Sequence, residues 1–421
     1  MYFLYNSILF IFLLILSPLI LFKVIRGGGG TRELSQRLGM VSADLPEAVK
    51  GGGAVWFHAA SVGEVLASAA LIEKIRHRWP EKSLLVSTFT ATGNKAAIRK
   101  LNADAVIFLP FDLAPIVKRL LLKIRPSLLI LMETELWPGL ITEASSIGTP
   151  VVVVNGRISD SSFGKYKMLG PLIKGALSRL RLVLTQSSID SERLAALGVD
   201  SARLHETGNV KFDMSVDNSE ISFFKEWGHP LFIAGSTRDG EEPYIFEVYL
   251  KLREIHPGLR LLLAPRHIER AGEIARMMDE RGLDYTLRSK VKGKAKSQLI
   301  LLDTLGELSS CYKYADLVFI GGSLVPMGGQ NMLEPALQGK PVLFGPYIEN
   351  FREAAAVLTK GGGAVMVKDA EDLLKWSGRL LADDKLRHQM GAKARETVLL
   401  NRGATAKTVD MLAGIIDIPN S

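Results

Sequence analysis

Leu128-Leu-Ile-Leu-Met-Glu-Thr-Glu-Leu-Trp-Pro138 sets the fold class. Five apolar residues run without a break and then give way at once to two carboxylates. A half-exposed strand alternates apolar with polar residues, whereas an unbroken apolar run fits a strand covered on both faces of a parallel sheet. The same grammar recurs upstream at 83–87 (SLLVS) and 105–109 (AVIFL), and downstream at 151–154 (VVVV) and 180–185 (LRLVLT). Each run is followed by a longer amphipathic stretch, which predicts a βα alternation. The rhythm breaks over 213–229 (DMSVDNSEISFFKEWGH), a polar, strandless segment that reads as a domain connection. It restarts with 231–234 (LFIA), 261–264 (LLLA), 299–302 (LILL), 317–320 (LVFI) and 342–344 (VLF). The chain therefore reads as α/β, with two doubly wound domains. Ligand-binding residues are expected at the carboxyl ends of their strands.

Composition agrees. A chain of 421 residues is long enough for two ordinary domains. With 47% hydrophobic and 23% charged residues it is neither a disordered chain nor a polytopic membrane protein. Cys311 is the only cysteine, so an internal disulfide and a cysteine-built zinc or iron–sulfur site are excluded. A net charge of +8 suits phosphorylated substrates or an anionic membrane face. No basic tract with interleaved aromatics and no zinc-finger spacing occurs, so nucleic acid is not an expected partner.

Met1 to Phe22 carries no charged side chain, and Lys23 and Arg26 follow directly. A helix of that length spans about 33 Å. Positive charge after the apolar run, with no small-residue cleavage site, predicts an uncleaved membrane anchor with the remainder on the cytoplasmic side. Pro18 leaves open whether that anchor spans the bilayer or lies in its surface. The glycines 27–30 read as a hinge.

Candidate chemistry sits at the strand ends. In His58-Ala-Ala-Ser-Val-Gly-Glu64, the Ser61 and Glu64 spacing is that of a capping box. The same position suits Glu64 to be a general base beside helix amides. Glu133 and Glu135 share a strand face and are costly there unless solvated, paired or used. Lys211, in Gly208-Asn-Val-Lys-Phe-Asp213, can offset charge on a departing phosphate. In the second half, Gly235 and Ser236 follow a strand and offer donors to a phosphate. Arg266 is placed for a phosphate or base edge. Thr304 and Glu307 repeat the capping-box spacing. The run Gly321 to Pro335 (GGSLVPMGGQNMLEP) is glycine-rich, with Asn331 as a helix cap and Glu334 as a ribose acceptor. Each feature also fits a plain turn, cap or solvated side chain; jointly they describe a nucleotide site. G-x-x-x-x-G-K-[ST], an opening G-x-G-x-x-G and D-x-D are absent, which argues against a P-loop, a dinucleotide and that kind of diphosphate–metal clamp.

HAASVGE, METELWP, GNVKFD, APRHIER, DTLGEL and GGSLVPMGGQNMLEPALQGKPVLFGP, in this order, resemble the motifs of the 3-deoxy-D-manno-octulosonic acid (Kdo) transferases of lipopolysaccharide synthesis. The likeness runs from the amino-terminal segment to about residue 400. It implies a GT-B glycosyltransferase with two Rossmann-like domains facing a central cleft. It implies an anchor over 1–26, an acceptor domain over 27–213, a linker over 214–228 and a CMP-sugar domain over 229–421. It implies inverting, metal-independent transfer of Kdo from the co-substrate CMP-Kdo, with no further cofactor, to a phosphorylated lipid A precursor at the inner membrane of a Gram-negative bacterium. By motif match Glu64 is the proton acceptor, and Glu133 and Lys211 stabilise the transition state. Pro265, Arg266, Leu305, Gly306, Glu307, Asn331, Met332, Leu333 and Glu334 fall in the CMP-binding segments. Gly27–Gly30 stands where basic and aromatic residues are expected, and Gln330 where relatives often carry His. Other readings keep the fold: a different membrane-associated sugar transferase, or a UDP-sugar epimerase. A membrane-tethered nucleotide-binding scaffold is the non-enzymatic one; the presence of Glu64, Glu133 and Lys211 together argues against it.

Overall fold

The computed structural model describes residues 1–26, 30–41, 45–50, 52–217, 219–293 and 295–417. It divides into two units, Met1–Met214 with Arg402–Ser421, and Ser215–Asn401. The first holds seven parallel strands: β1 (Val55–His58), β2 (Leu84–Thr88), β3 (Ala105–Phe108), β4 (Leu128–Met132), β5 (Val151–Gly156), β6 (Leu182–Thr185) and β7 (Leu204–Glu206). Their order is β3-β2-β1-β4-β5-β6-β7. The apolar runs form this sheet because both faces are covered. Trp56, Leu129, Leu131 and Val153 pack into one buried cluster, and Val55, Phe57, Ile130 and Val152 into the other.

The second unit holds β8 (Leu231–Thr237), β9 (Arg260–Pro265), β10 (Tyr285–Leu287), β11 (Leu299–Leu301), β12 (Leu317–Ile320), β13 (Val342–Phe344) and β14 (Ala364–Met366). They too are all parallel, in the order β10-β11-β9-β8-β12-β13-β14. In each sheet the strand order reverses beside the first strand, between β1 and β4 and between β8 and β12. Those switch points are where an open parallel sheet leaves a crevice at its carboxyl end.

Three expectations change. The connection predicted over 214–228 contains a short helix, Phe223–Trp227, whose three aromatic residues are buried in the second unit. Phe224 stacks on Tyr314 at 4.5 Å, and the Trp227 indole donates to the Ser297 carbonyl at 2.8 Å. Nor does the second unit run on to the C-terminus. Helix Ala404–Ile416 belongs to the first unit, where Val409, Leu412 and Ile416 join the core under α3 (Val62–Arg78). Asp213 fixes the start of that helix by accepting from the Gly403 amide at 2.6 Å and from the Thr405 amide.

The third change concerns the amino-terminal segment. It is helical as expected, α1 spanning Tyr2–Arg26 and followed by α2, Gly30–Arg37. Its polar first turns are docked: the Tyr2 hydroxyl donates to Glu143 at 2.9 Å, the Tyr5 hydroxyl to Asp112 at 2.7 Å, and Asn6 accepts from the Ala114 amide at 2.7 Å. Phe3, Ile8, Phe10, Phe12 and Ile15 remain exposed. Among the described residues no helix is long and apolar enough to cross a membrane, so a spanning anchor is not found. Gly27–Gly29 and the side chains of Lys23 and Arg26 lie outside the described residues.

Candidate active site

At the switch point of the first sheet, β1 ends in His58 and α3 begins at Val62. Ser61 caps α3, its hydroxyl oxygen accepting from the Glu64 amide. The Glu64 carboxylate turns back to accept from the Ala60 amide at 2.8 Å and the Ser61 hydroxyl at 2.9 Å. The Ser61 half of the expected capping box is present, whereas the Glu64 carboxylate bonds the amide one residue before the cap instead of the cap's own; its two bonds hold it in one position. Burial pushes the Glu64 carboxyl up, the carboxylates of Glu135 and Glu133 add to that, and the two hydrogen bonds pull against it. The balance lies at about 7.

β4 delivers the neighbouring carboxylates. After Met132 the backbone turns through Glu133 at φ +54°, a left-handed conformation that costs a non-glycine residue about 1–2 kcal/mol. The turn points Glu133 into a buried position between two cations. Lys211 Nζ stands 2.8 Å from one oxygen and Arg157 Nε 2.8 Å from the other. Burial pushes the Glu133 carboxyl up, but Lys211 and Arg157 together hold it below its ordinary value. Glu135 accepts from the Trp137 indole at 2.7 Å, and its carboxylate lies 3.4 Å from Nε2 of the fully buried His58. Asn155, also left-handed at φ +54°, is the last residue but one of β5 and accepts from the Val210 amide at 3.0 Å. Asn209 accepts from the Lys211 amide at 3.0 Å. These two contacts fix the short turn Val210–Asp213 that carries Lys211 to Glu133.

The switch point of the second sheet is built around a different carboxylate. Glu241, fully buried, accepts four backbone amides: Arg238 at 2.8 Å, Gly322 at 2.6 Å, and Ser323 and Leu324 at 2.9 Å each. Burial raises the Glu241 carboxyl and the amides oppose it. Arg238 and Arg266 stand at the ends of β8 and β9, with His267 beside them. Arg238 Nη1 lies 2.6 Å from His267 Nε2, and Arg266 Nε donates to Gln330 at 3.2 Å. Partial burial and the two guanidinium groups hold the imidazole below its ordinary value. Such a cationic group at strand ends suits a phosphate. Further along, Arg288 pairs with Glu307 at 2.7 Å, and the Thr304 hydroxyl donates to the same carboxylate. Asn331 accepts from the Leu333 amide at 3.0 Å and donates to Glu334 at 2.9 Å. Burial raises the Glu334 carboxyl. Among the described residues no group of three or more His, Cys, Asp or Glu is placed to hold a metal ion.

Residues 32–214 match the family model described as 3-deoxy-D-manno-octulosonic-acid transferase (kdotransferase). The Haemophilus influenzae 3-deoxy-D-manno-octulosonic acid transferase is 33% identical over 97% of this chain and 97% of its own length. The chain belongs to the Kdo transferase family. Its members are glycosyltransferases. A bifunctional glycosyltransferase/methyltransferase from Fusobacterium nucleatum is 36% identical over 76% of this chain, and the match spans about half (51%) of that protein. Among solved structures, MnaA of S. aureus with UDP superposes with a TM-score of 0.60 at 14% identity, covering 88% of this chain and 98% of that one. At that identity the likeness concerns the fold alone, two Rossmann-like sheets of GT-B kind.

Within this Kdo transferase the predicted residues are placed unevenly. Glu64, Glu133 and Lys211 do come together in the first unit. In the second, Pro265 ends β9, while Leu305 and Arg266 are exposed. Met332 and Leu333 are core side chains, so only their backbone is available to a ligand. Gly306 has φ +89°, which a turn demands of glycine. Glu307 is no capping-box partner, because the helix starts only at Leu308. Gly235 faces inward: a Cβ there would meet the Tyr312 hydroxyl at 2.1 Å. Gly321 likewise admits the close approach of Ser236, whose carbonyl would lie 2.6 Å from a Cβ. Within the glycine-rich run, the amides of Gly322, Ser323 and Leu324 are taken by Glu241. Sequence reasoning assigned no role to Arg157, Asn155 or Glu241. Their one shared signal is nearness to a strand's carboxyl end: Asn155 just before the end of β5, Arg157 just after it, and Glu241 in the turn that follows β8.

Proposed function

We propose that the chain transfers Kdo from CMP-Kdo to a phosphorylated lipid A precursor, with inversion and without a metal. The first unit supplies the chemistry. Glu64 takes the proton from the acceptor hydroxyl as its oxygen attacks the anomeric carbon, and the bond to the CMP phosphate breaks. Lys211, held by Glu133, favours the negative charge gathering on that phosphate. The second unit holds the nucleotide through Arg266 and the segments around Pro265, Leu305–Glu307 and Asn331–Glu334. Arg238 and His267 add positive charge for the phosphate. The exposed apolar side chains of α1 rest in the surface of the inner membrane, where the acceptor lies. Family membership supports the donor and acceptor. The observation that carries the mechanism is the Glu64 carboxylate held by the Ala60 amide and the Ser61 hydroxyl beside Glu133 and Glu135, with its carboxyl pushed up to about 7 by burial and by those two neighbours. A base is most effective when its proton affinity matches the working pH.

The test incubates purified protein with CMP-Kdo and a tetraacylated lipid A precursor in the presence of EDTA, with products read by mass spectrometry. With wild type the precursor gains the mass of Kdo; Glu64→Gln binds CMP with unchanged affinity and transfers at least about a hundredfold more slowly. A fully active Glu64→Gln would make Glu64 a helix cap only. An inert wild type that binds CMP would make the acceptor wrong.

A further inference from the structure

Beside the carboxylate cluster lies an aromatic pair that no step above uses. Phe89 and Trp137 stack with centroids 5.4 Å apart and planes 26° from parallel. Both are tied to the reacting groups. The Phe89 amide donates to the Ala60 carbonyl at 3.0 Å, and the amide of the same Ala60 donates to Glu64. The Trp137 indole donates to Glu135, one of the carboxylates that raise Glu64. Phe89 is further held by Arg37, whose guanidinium carbon lies 5.0 Å from its ring centroid and whose Nη2 donates to the Phe89 carbonyl at 2.6 Å. Glu33 already neutralises Arg37 at 2.8 Å. An aromatic ring so well fixed would be expected to be buried, yet Phe89 is 40% exposed.

We infer that Phe89, backed by Trp137, is the platform on which the acceptor's sugar ring lies while Glu64 removes its proton. The inference rests on the reading of Glu64 as the base. A pyranose presents a face of C–H groups to an aromatic ring and keeps its hydroxyls at the rim, which suits a ring beside a base that must reach one hydroxyl. The edge hydrogen bond from Trp137 to Glu135 stops the pair from rotating, so the platform and the carboxylates keep one geometry. An acyl chain is the other apolar occupant to consider. It needs only area, not a flat ring, and it carries no proton for Glu64 to take.

The two occupants separate by substitution. Steady-state transfer is measured for Phe89→Leu and Phe89→Tyr with the tetraacylated precursor and with a fully deacylated disaccharide bisphosphate. The inference expects Phe89→Leu to raise the acceptor KM about threefold to tenfold on both acceptors, with the CMP-Kdo KM unchanged and Phe89→Tyr close to wild type. Unchanged KM in Phe89→Leu overturns it. So does a loss confined to the acylated acceptor, which would assign Phe89 to a lipid chain. CMP affinity, followed in parallel, reports whether the variants are folded. If wild type and Phe89→Leu transfer normally and Glu64→Gln does too, the base assignment fails and the platform has no hydroxyl to serve.

Discussion

Removing the Glu135 charge tests how Glu64, the proposed base, is tuned. Burial lifts the Glu64 carboxyl first, then Glu135, then Glu133, from 4.5 to about 7. That rise corresponds to about 3 kcal/mol favouring the protonated form. Glu133 faces two cations, whereas Glu135 meets an indole N–H and His58, so the variant to make is Glu135→Gln. Its amide oxygen still accepts from Trp137, which preserves the local geometry. Losing one like charge should lower the Glu64 carboxyl by about one pH unit, or about 1.4 kcal/mol. The base acts deprotonated, so kcat/KM rises with pH and levels off above the carboxyl's value. In wild type the bend falls near pH 7, and about one molecule in ten carries the active form at pH 6. In Glu135→Gln the bend moves to about pH 6, where half the molecules are active, while the weaker base lowers the plateau about threefold. The variant is therefore slower than wild type at pH 8 and no slower at pH 6. The assay is kcat/KM for the acceptor from pH 5 to 9 at saturating donor, with products counted by mass spectrometry. A bend that stays near pH 7 in the variant, or no acid limb in wild type, refutes the account.

Lys211→Ala should leave Glu133 with Arg157 alone, raise the Glu133 carboxyl and slow transfer about a hundredfold or more with CMP affinity unchanged; Lys211→Arg should restore little, because a planar fork does not replace a compact ammonium. Ser61→Ala removes a hydrogen bond that lowers the Glu64 carboxyl, so the bend in kcat/KM moves above pH 7, and thermal unfolding registers the lost cap at about 1 kcal/mol. Glu241→Ala strands four backbone amides, those of Gly322 and Ser323 in buried bonds, and should destabilise the second unit by about 3 kcal/mol or more, seen as a lower unfolding temperature and weaker CMP binding. Unchanged CMP binding in Glu241→Ala would show that the glycine-rich turn holds its shape without the carboxylate.

The interior of both sheets was plain in the residues, because strands buried on two faces must be written as unbroken apolar runs. Leu128–Met132 and Leu317–Ile320 form strands at the predicted bounds. The strands that escaped, β7, β10 and β14, are three residues long and sit at sheet edges. There only one side is paired and one face need not be apolar, so β7 and β10 carry no apolar run, and β14 lies in one of only four residues, 364–367 (AVMV). The helix Ala404–Ile416 escaped for another reason: its apolar stripe says that it packs, not on which unit. Phe223, Phe224 and Trp227 were hidden in a polar context that outweighed them by count. At the site, spacing alone gave the Ser61–Glu64 box, because a cap is a local pattern. Glu133 with Lys211 and Arg157 is assembled across 78 and 24 residues of chain, and no local pattern encodes such a pairing.

Two roles offered for Glu64 at the outset, cap and base, depend on one another. An uncapped carboxylate at that depth, facing Glu135 and Glu133, would hold its proton well above neutrality and be a strong base rarely in its active form. A well-solvated cap on an exposed helix would release its proton near 4.5 and be a weak base always in its active form. The donors from Ala60 and Ser61 favour the ionised state while burial and the neighbouring carboxylates oppose it, and the sum falls where a hydroxyl can be activated at physiological pH. The second unit divides the same tasks differently. Its glycine-rich amides satisfy Glu241, a carboxylate that never leaves, so the turn is rigid before any nucleotide arrives. On the proposed reading, binding a phosphate then falls to the side chains at the rim, Arg238, Arg266 and His267, which can release it again. An amide nest filled by the nucleotide itself would tie the shape of the turn to occupancy, and the turn would have to be rebuilt in every cycle.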